Sequence, residues 1–582
     1  MFFEHEAPTQ GEPYMRNTTR YLCAAAYLDE DFRNRVIAEY VEDEHRAVAP
    51  GGGYDLAAVV KHCLHARRLV LYRDVVFVVA FVLGLLLNGW AALMAAGTLL
   101  WMAVLLRVRR WLLAKNRRWL ARYVGFTAMV GPLFQVFSTV SGLLALQAEM
   151  ALSQAYLDPS ATEPDIPSIL YLMVVLFAAF LVVAVAIECG YLVFVYRLMQ
   201  RTLHPLSDVE APASPSPHTA RLLDRLAAAQ HGNVSVYSVH PFLGSGRIRK
   251  QWAIVLELDR TTGAGEARVD PARLQARVWQ RISEMKVPDP GDPGSLPKHE
   301  SIVGLDRPQM HVVAHGRLAQ YSRPLGLNGQ VVSGHPLVDS GGAPYSHASA
   351  EAVDAILHHP QGALRCYQRI SVDSRGQLVS GKDGAAVAPA EDQDVATTAF
   401  LHVAVEGRML YAQFIATALT PVRREFKIVD ELPSVAGQSL VWMALRRRWD
   451  AFPSAAVFAP LRIVRTLAHM GFAALRAGTA QPQRLTVHDY GFRISPRELA
   501  ASAGYDTYVQ LLDTDKYIRL IERRVNEAIL DHLSDECGVD VSAYREQMTA
   551  ITNSSVTITG STITGSQINT GAGATQVRQT TS

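Results

Sequence analysis

Cysteine is scarce in this chain of 582 residues: Cys23, Cys63, Cys189, Cys366 and Cys537 are all it has, and no two form a C-x-x-C pair. A zinc knuckle or thioredoxin-type motif is therefore unsupported, and scattered single thiols fit a reducing compartment. The opening, MFFEHEAPTQ, is acidic and polar. It lacks the basic start and early apolar run of a cleavable secretory signal, so none is expected. Net charge is nearly absent as well, at +2 over the whole chain, and no nucleic-acid partner is expected. Catalytic patterns are missing too. There is no G-x-S-x-G elbow, and His358-His359 is not H-E-x-x-H. His45, His62 and His65 have no carboxylate or cysteine at ligand spacing, so no metal and no cofactor is expected. His335, His347, His358, His359 and His402 are scattered, which leaves a Cys–His pair with Cys366 open. The balance leans away from an enzyme.

Long apolar runs, in contrast, are plentiful. LVLYRDVVFVVAFVLGLLLNGWAALMAAGTLLWMAVLL, residues 69–106, is too long for one crossing, since about 20 residues span the hydrocarbon. Asn88-Gly89 near its middle is a turn signal. The run reads as a helical hairpin, one span to Leu87 and a second from Trp90, with a re-entrant hairpin as the alternative. RVRRWLLAKNRRWLARY follows, carrying Arg107, Arg109, Arg110, Lys115, Arg117 and Arg118 without one acid. Such a loop stays cytoplasmic and suits lipid headgroups. Third and fourth spans are read over 124–146 and 169–196, and the acidic loop between them faces outward. Both termini are then cytoplasmic, in a multi-pass protein of the cell membrane. Glu188 lies inside the fourth span and needs a partner there. Gln135, on the third span at similar depth, is the candidate for an intramembrane polar pair. A proton or ion relay through Glu188 is the functional alternative.

The remainder reads as cytosolic. Residues 1–68 are helical, 69–200 form the transmembrane region, and 201–219 contain the linker DVEAPASPSPHT. Residues 220–435 mix strand and helix patterns, which favours an α+β domain. NVSVYSVH and QWAIVLELDR read as strands joined by PFLGSGRIRK, and TTAFLHVAVEGRMLYAQFIATAL as a hairpin turning at Glu406-Gly407. EFKIVDEL is a further strand candidate. Small residues and cations from Gly244 to Lys250 make Arg247, Arg249 and Lys250 an anion-binding candidate, with an ordinary hairpin loop as the alternative. Residues 436–548 read as helical. VFAPLRIVRTLAHMGFAALRAG is expected as a core helix rather than an interfacial one. The stripe Tyr517, Ile518, Ile521, Val525, Ile529 and Leu533 either packs within the domain or seams a dimer.

Residues 549–582 form a low-complexity, β-prone tail in which Ile558, Ile563 and Ile568 recur every five residues. Such short repeats bury a core only when several stack, so the tail is expected either to be disordered or to complete itself against other copies or a cytosolic protein partner. In composition it resembles the short amyloid-forming tails of some microbial signalling proteins. TRYLCAAAYLDEDFRNRVIAEYV, NVSVYSVHPFLGSG and HDYGFRISPRELAAS resemble segments of uncharacterised multi-pass membrane proteins of high-GC actinobacteria. That resemblance implies architecture and no activity. The expected whole is a multi-domain integral membrane protein: a four-helix transmembrane region, a cytosolic α+β domain and a β-repeat tail. Its expected partners are the lipid bilayer and further copies of itself. A non-enzymatic signalling or scaffold role leads, with a small-solute or ion transporter and a membrane-anchored nucleotide-binding or hydrolytic domain as alternatives.

Overall fold

Acidic caps start the helices on which the rest is built. After the short strand β1 (Phe3–Glu4), α1 (Arg16–Leu28) leads into α2 (Glu30–Tyr40), where the Asp29 carboxylate accepts N–H bonds from Asp31 at 3.0 Å and Phe32 at 3.1 Å. Asp55 caps α3 (Leu56–Ala114) by accepting from Ala58 at 3.0 Å. Within α3, Asn88 leaves helical geometry (φ −157°, ψ 95°), and its side chain accepts from the Ala91 N–H at 3.0 Å, capping a second arm. The chain reverses there: a Cβ on Gly84 would stand 3.5 Å from that of Ala92, residues that a straight helix separates by about 12 Å. Asn88-Gly89 thus turns a helical hairpin. α4 (Arg118–Leu157) and α5 (Ile166–Thr202) pack beside it.

The computed structural model describes residues 3–4, 16–51, 53–157, 166–205, 209–214, 216–258, 268–286, 301–306, 308–316, 318, 336–339, 342–359, 361–374, 379–380, 385–388, 393–435, 437–448, 452–479, 489–542 and 544–548. The tail with Ile558, Ile563 and Ile568 lies outside them, as does the side chain of Gln135. Among the described residues, Leu56–Ala114 and Leu172–Thr202 are long and apolar enough to cross a membrane, and only 22% and 17% of their most apolar windows are buried.

Beyond these helices the chain alternates α6 (Pro217–Gln230), β2 (Val234–Tyr237), β3 (Arg247–Glu257), α7 (Pro271–Ser283), β4 (Gln309–His315), β5 (His347–Ala348), α8 (Ala350–His358), β6 (Leu364–Asp373), β7 (Val379–Ser380), β8 (Ala386–Ala388), β9 (Ala396–Glu406) and β10 (Met409–Leu419). Six strands make one sheet in the order β2-β4-β6-β9-β10-β3, antiparallel except for the β2–β4 pair. The β9–β10 hairpin turns through Gly407 (φ 56°) and Arg408 (φ 65°). β2 and β3 lie at opposite edges of the sheet, so the glycine loop between them is a crossover and not a hairpin turn. EFKIVDEL is no strand either: it forms a 3₁₀ turn, Arg424–Lys427, and α9 (Ile428–Glu431). Phe426, Ile428 and Val429 are buried there, among helices rather than at a sheet edge. Helices α10 (Gln438–Arg448), α11 (Phe452–Val457), α12 (Ala459–Thr479), α13 (Pro496–Leu499) and α14 (Tyr508–Asp531) follow.

Three main cores result. One sheet face, with Trp252, Leu401 and Phe414, packs on α7 and on the α14 stripe Ile518, Ile521, Val525 and Ile529, which runs on to Leu533. The stripe is therefore internal, and 220–435 shares this core with 508–544. A second core lies between the β2 edge of the sheet and α8. The third gathers α1, α2, the start of α3, the end of α5, α6 and α9. α12 departs from the core-helix expectation: Leu461, Val464, Leu467, Phe472 and Leu475 are each more than half exposed. An apolar face at helical spacing does not say whether protein or lipid covers it.

Two buried histidines tie elements together. His62 Nδ1 meets the Tyr27 hydroxyl at 2.9 Å, and His311 Nε2 meets Ser235 Oγ at 2.6 Å. Burial pushes both imidazoles down from 6.5 to about 3. An unfolded chain protonates them below 6.5 while the folded one resists until about 3. Stability is thus full above 6.5 and declines as pH falls toward 3. Urea titrations across that window should show a shallower decline for His311→Gln than for the parent.

Candidate functional site

Arg73 and Asp74 interrupt the apolar run of α3, and neither is left unpaired. Arg73 Nη1 reaches the Glu188 carboxylate of α5 at 3.3 and 3.4 Å, and its Nη2 donates to Asp74 Oδ1 at 2.9 Å. From α12, Arg462 grips Asp74 with both forks, Nε to Oδ2 at 2.8 Å and Nη2 to Oδ1 at 2.7 Å. Arg462 also donates to the backbone carbonyls of Ser454 and Ala455, and the Arg73 guanidinium lies over the Tyr191 ring at 4.7 Å. Asp74 is 1% exposed and Glu188 4%. Two cations and two anions cancel, which makes such burial tolerable. Three chain segments far apart in sequence meet here: the hairpin, the last apolar helix and α12.

Beside the cluster, on its apolar side, is a cavity of about 170 Å³. Phe77, Gly84, Ala95, Phe180 and Ala184 line it, with Pro460 of α12. Small residues also let α3 and α4 approach, since a Cβ on Gly131 would fall inside the Trp101 ring. Arg107, Arg110, Lys115, Arg117 and Arg118 are exposed around the α3–α4 turn, where Lys115 Nζ sits 4.2 Å from the Trp111 ring centroid. Arg109 packs against Gly125 and is half-buried.

The glycine loop before β3 already holds an anion, and it is the chain's own. The N–H groups of Gly244 and Gly246 both donate to Glu498 Oε1, at 2.7 and 2.8 Å. Lys250 is paired with Glu522 at 2.7 Å and Arg249 with Asp515 at 3.6 Å, while Arg247 stays exposed. Internal carboxylates thus occupy the nest and two of the three cations named as an anion-binding candidate, Arg249 and Lys250. Glu498→Ala should cost about 2 kcal/mol by stripping two donors of a charged acceptor. Chemical denaturation of the parent and the variant would measure it.

Cys366 is 1% exposed, and burial pushes its thiol up to about 12. His402 directs Nδ1 at the Cys366 backbone carbonyl, 2.9 Å away, not at the thiol. This is a packed pair and no activated nucleophile. His358 lies 3.3 Å from Asp270 on the surface. Among the described residues, no group of three or more His, Cys, Asp or Glu could hold a metal ion.

Sequence reasoning chose Glu188 and missed Arg73 and Asp74, although two adjacent charges in an apolar run were the available signal. The structure brings Arg73 to Glu188; what Gln135 contacts lies outside the described side chains. No curated protein and no solved structure matches the chain. A family model described as AbeC-like domain does match, over residues 251–568, from β3 through Arg462 and Glu498 and on into the repeat tail. That is more than half of the chain, and the protein belongs to the AbeC-like domain family.

Proposed function

We propose that this chain is a membrane-anchored, non-enzymatic signalling or scaffold protein. Four spans, drawn from α3, α4 and α5, hold it in the cell membrane with both termini cytoplasmic, and the sheet with its helices forms a cytosolic body. The observation that carries this is continuity. Leu56, Val59 and Val60 of α3 and Leu192, Val195 and Met199 of α5 are buried in one core of the body, and each helix continues from there into an apolar stretch. Val79, Leu83, Leu86, Trp90 and Leu93 are exposed along that stretch. A patch of this kind suits acyl chains and not water. The basic turn at 107–118 then sits at cytoplasmic headgroups. A tilt of either helix would be transmitted to the body through the core they share. The resemblance to multi-pass actinobacterial proteins fits the same plan.

Transport through Glu188 is the rival. Its ion pair with Arg73 at 3.3 Å already gives the buried acid a structural partner, which favours the scaffold reading. Purified protein in liposomes carrying an internal pH dye should show no flux above empty vesicles. A flux in the parent that a folded Glu188→Gln variant loses would make the protein a transporter.

The tail is assigned to assembly between copies or with a cytosolic partner. Truncation after Met548 should leave the fold intact and reduce higher-order oligomers. Ile563→Asp should do the same, since stacked like charges repel. Native mass analysis that finds identical distributions for parent, truncation and Ile563→Asp would remove the tail from this role.

A further inference from the structure

Arg33 is a buried cation. It sits on α2, 4% exposed, and its Nε has no hydrogen-bond partner. Among the described residues no acid pairs with it, and burial pulls the guanidinium down from its ordinary value. An arginine does not discharge inside a protein, so the charge carries a desolvation cost that the Glu30 carboxylate one turn away offsets only in part. Arg33 lines a pocket of about 520 Å³ between α2, the start of α3 and the inner face of α12. Arg35, Arg67, Arg465, Thr466 and His469 line it too. Most of these cations are spoken for: Arg35 by Asp31 at 3.0 Å, Arg67 by Glu42 at 2.9 Å, and the neighbouring Arg462 by Asp74. His469 lies 3.8 Å from Glu42. Among the described residues Arg33 and Arg465 remain without an ion pair, with the exposed Glu30 near the rim.

We infer that this pocket binds a phosphate-type anion, with Arg33 as the buried anchor and Arg465 closing from α12. A planar fork of donors matches a tetrahedral oxyanion, and the space exceeds what one water-bridged pair would need. The anion can be a lipid headgroup, since Val70 at the pocket wall lies at the start of the apolar run and the outer face of α12 is apolar; that source rests on the membrane reading. It can equally be a free phosphate, and that source does not. The site itself stands on Arg33 either way.

The test uses the full-length protein, delipidated in a neutral detergent, with thermal unfolding as readout. One arm adds inorganic phosphate, and a second compares nanodiscs of pure phosphatidylcholine with nanodiscs containing phosphatidic acid. At least one arm should raise the parent's unfolding temperature. Arg33→Gln should abolish that rise, and Arg465→Gln should weaken the apparent affinity roughly ten-fold. Without anion, Arg33→Gln should unfold no lower than the parent, because it removes a buried charge whose desolvation is offset only in part. A merely structural arginine would give the opposite. A rise with phosphatidic acid alone assigns the lipid headgroup, and a rise with phosphate assigns the soluble anion. No rise in either arm, or an equal rise in Arg33→Gln, overturns the inference.

Discussion

Asp74→Asn should lower stability by roughly 3–5 kcal/mol, the range seen when one member of a buried ion network is removed. Asp74 is the shared anion of the cluster, held by Arg73 at 2.9 Å and by both forks of Arg462. Neutralising it leaves two guanidinium groups with only Glu188 between them. The expected signature is a lower unfolding temperature in detergent together with new protease cleavage around α12, whose link to α3 runs through this contact. Pairing Asp74→Leu with Arg462→Met should restore part of the loss, because an apolar pair replaces a broken ionic one. The double variant retains Arg73–Glu188 at 3.3 Å. A double variant no better than Asp74→Asn would show that the ionic link itself is required.

Gly246→Ala should cost a similar amount, roughly 3–5 kcal/mol, by two effects that add. Gly246 has φ +90°, and a Cβ there would overlap the Ala418 carbonyl at the end of β10. The backbone atoms involved cannot swing away as a side chain can, and any shift would also break the N–H bond to Glu498. Gly407 is the control. It also has positive φ, +56°, but a Cβ there meets nothing within 4 Å, so Gly407→Ala should cost only about 1 kcal/mol. Equilibrium unfolding of both variants separates steric overlap from backbone preference.

Local signals were readable in the sequence and distant pairings were not. Asn88-Gly89 midway along an apolar run too long for one span signalled a turn, and strand alternation placed β3, β9 and β10 because their partners follow in a simple hairpin or lie in the same sheet. The glycine loop looked like an anion nest, which it is. The anion, Glu498, stands 254 residues from Gly244, where no local pattern points to it. Arg73-Asp74 reads as a self-cancelling dipeptide until Arg462 arrives from 388 residues away. Arg33 reads as one more surface charge on an amphipathic helix. Only the packing of α2 on α3 buries it. The apolar face of α12 carries the same period whether protein or lipid covers it.

Topology tests the central claim most directly. Single cysteines introduced into the 158–165 loop, on intact cells, are to be compared with cysteines placed just after Arg201 in labelling by an impermeant thiol reagent. The four-span reading predicts labelling of the loop on intact cells, and labelling after Arg201 only once the membrane is permeabilised. Labelling after Arg201 on intact cells, or no labelling of the loop until permeabilisation, would contradict it.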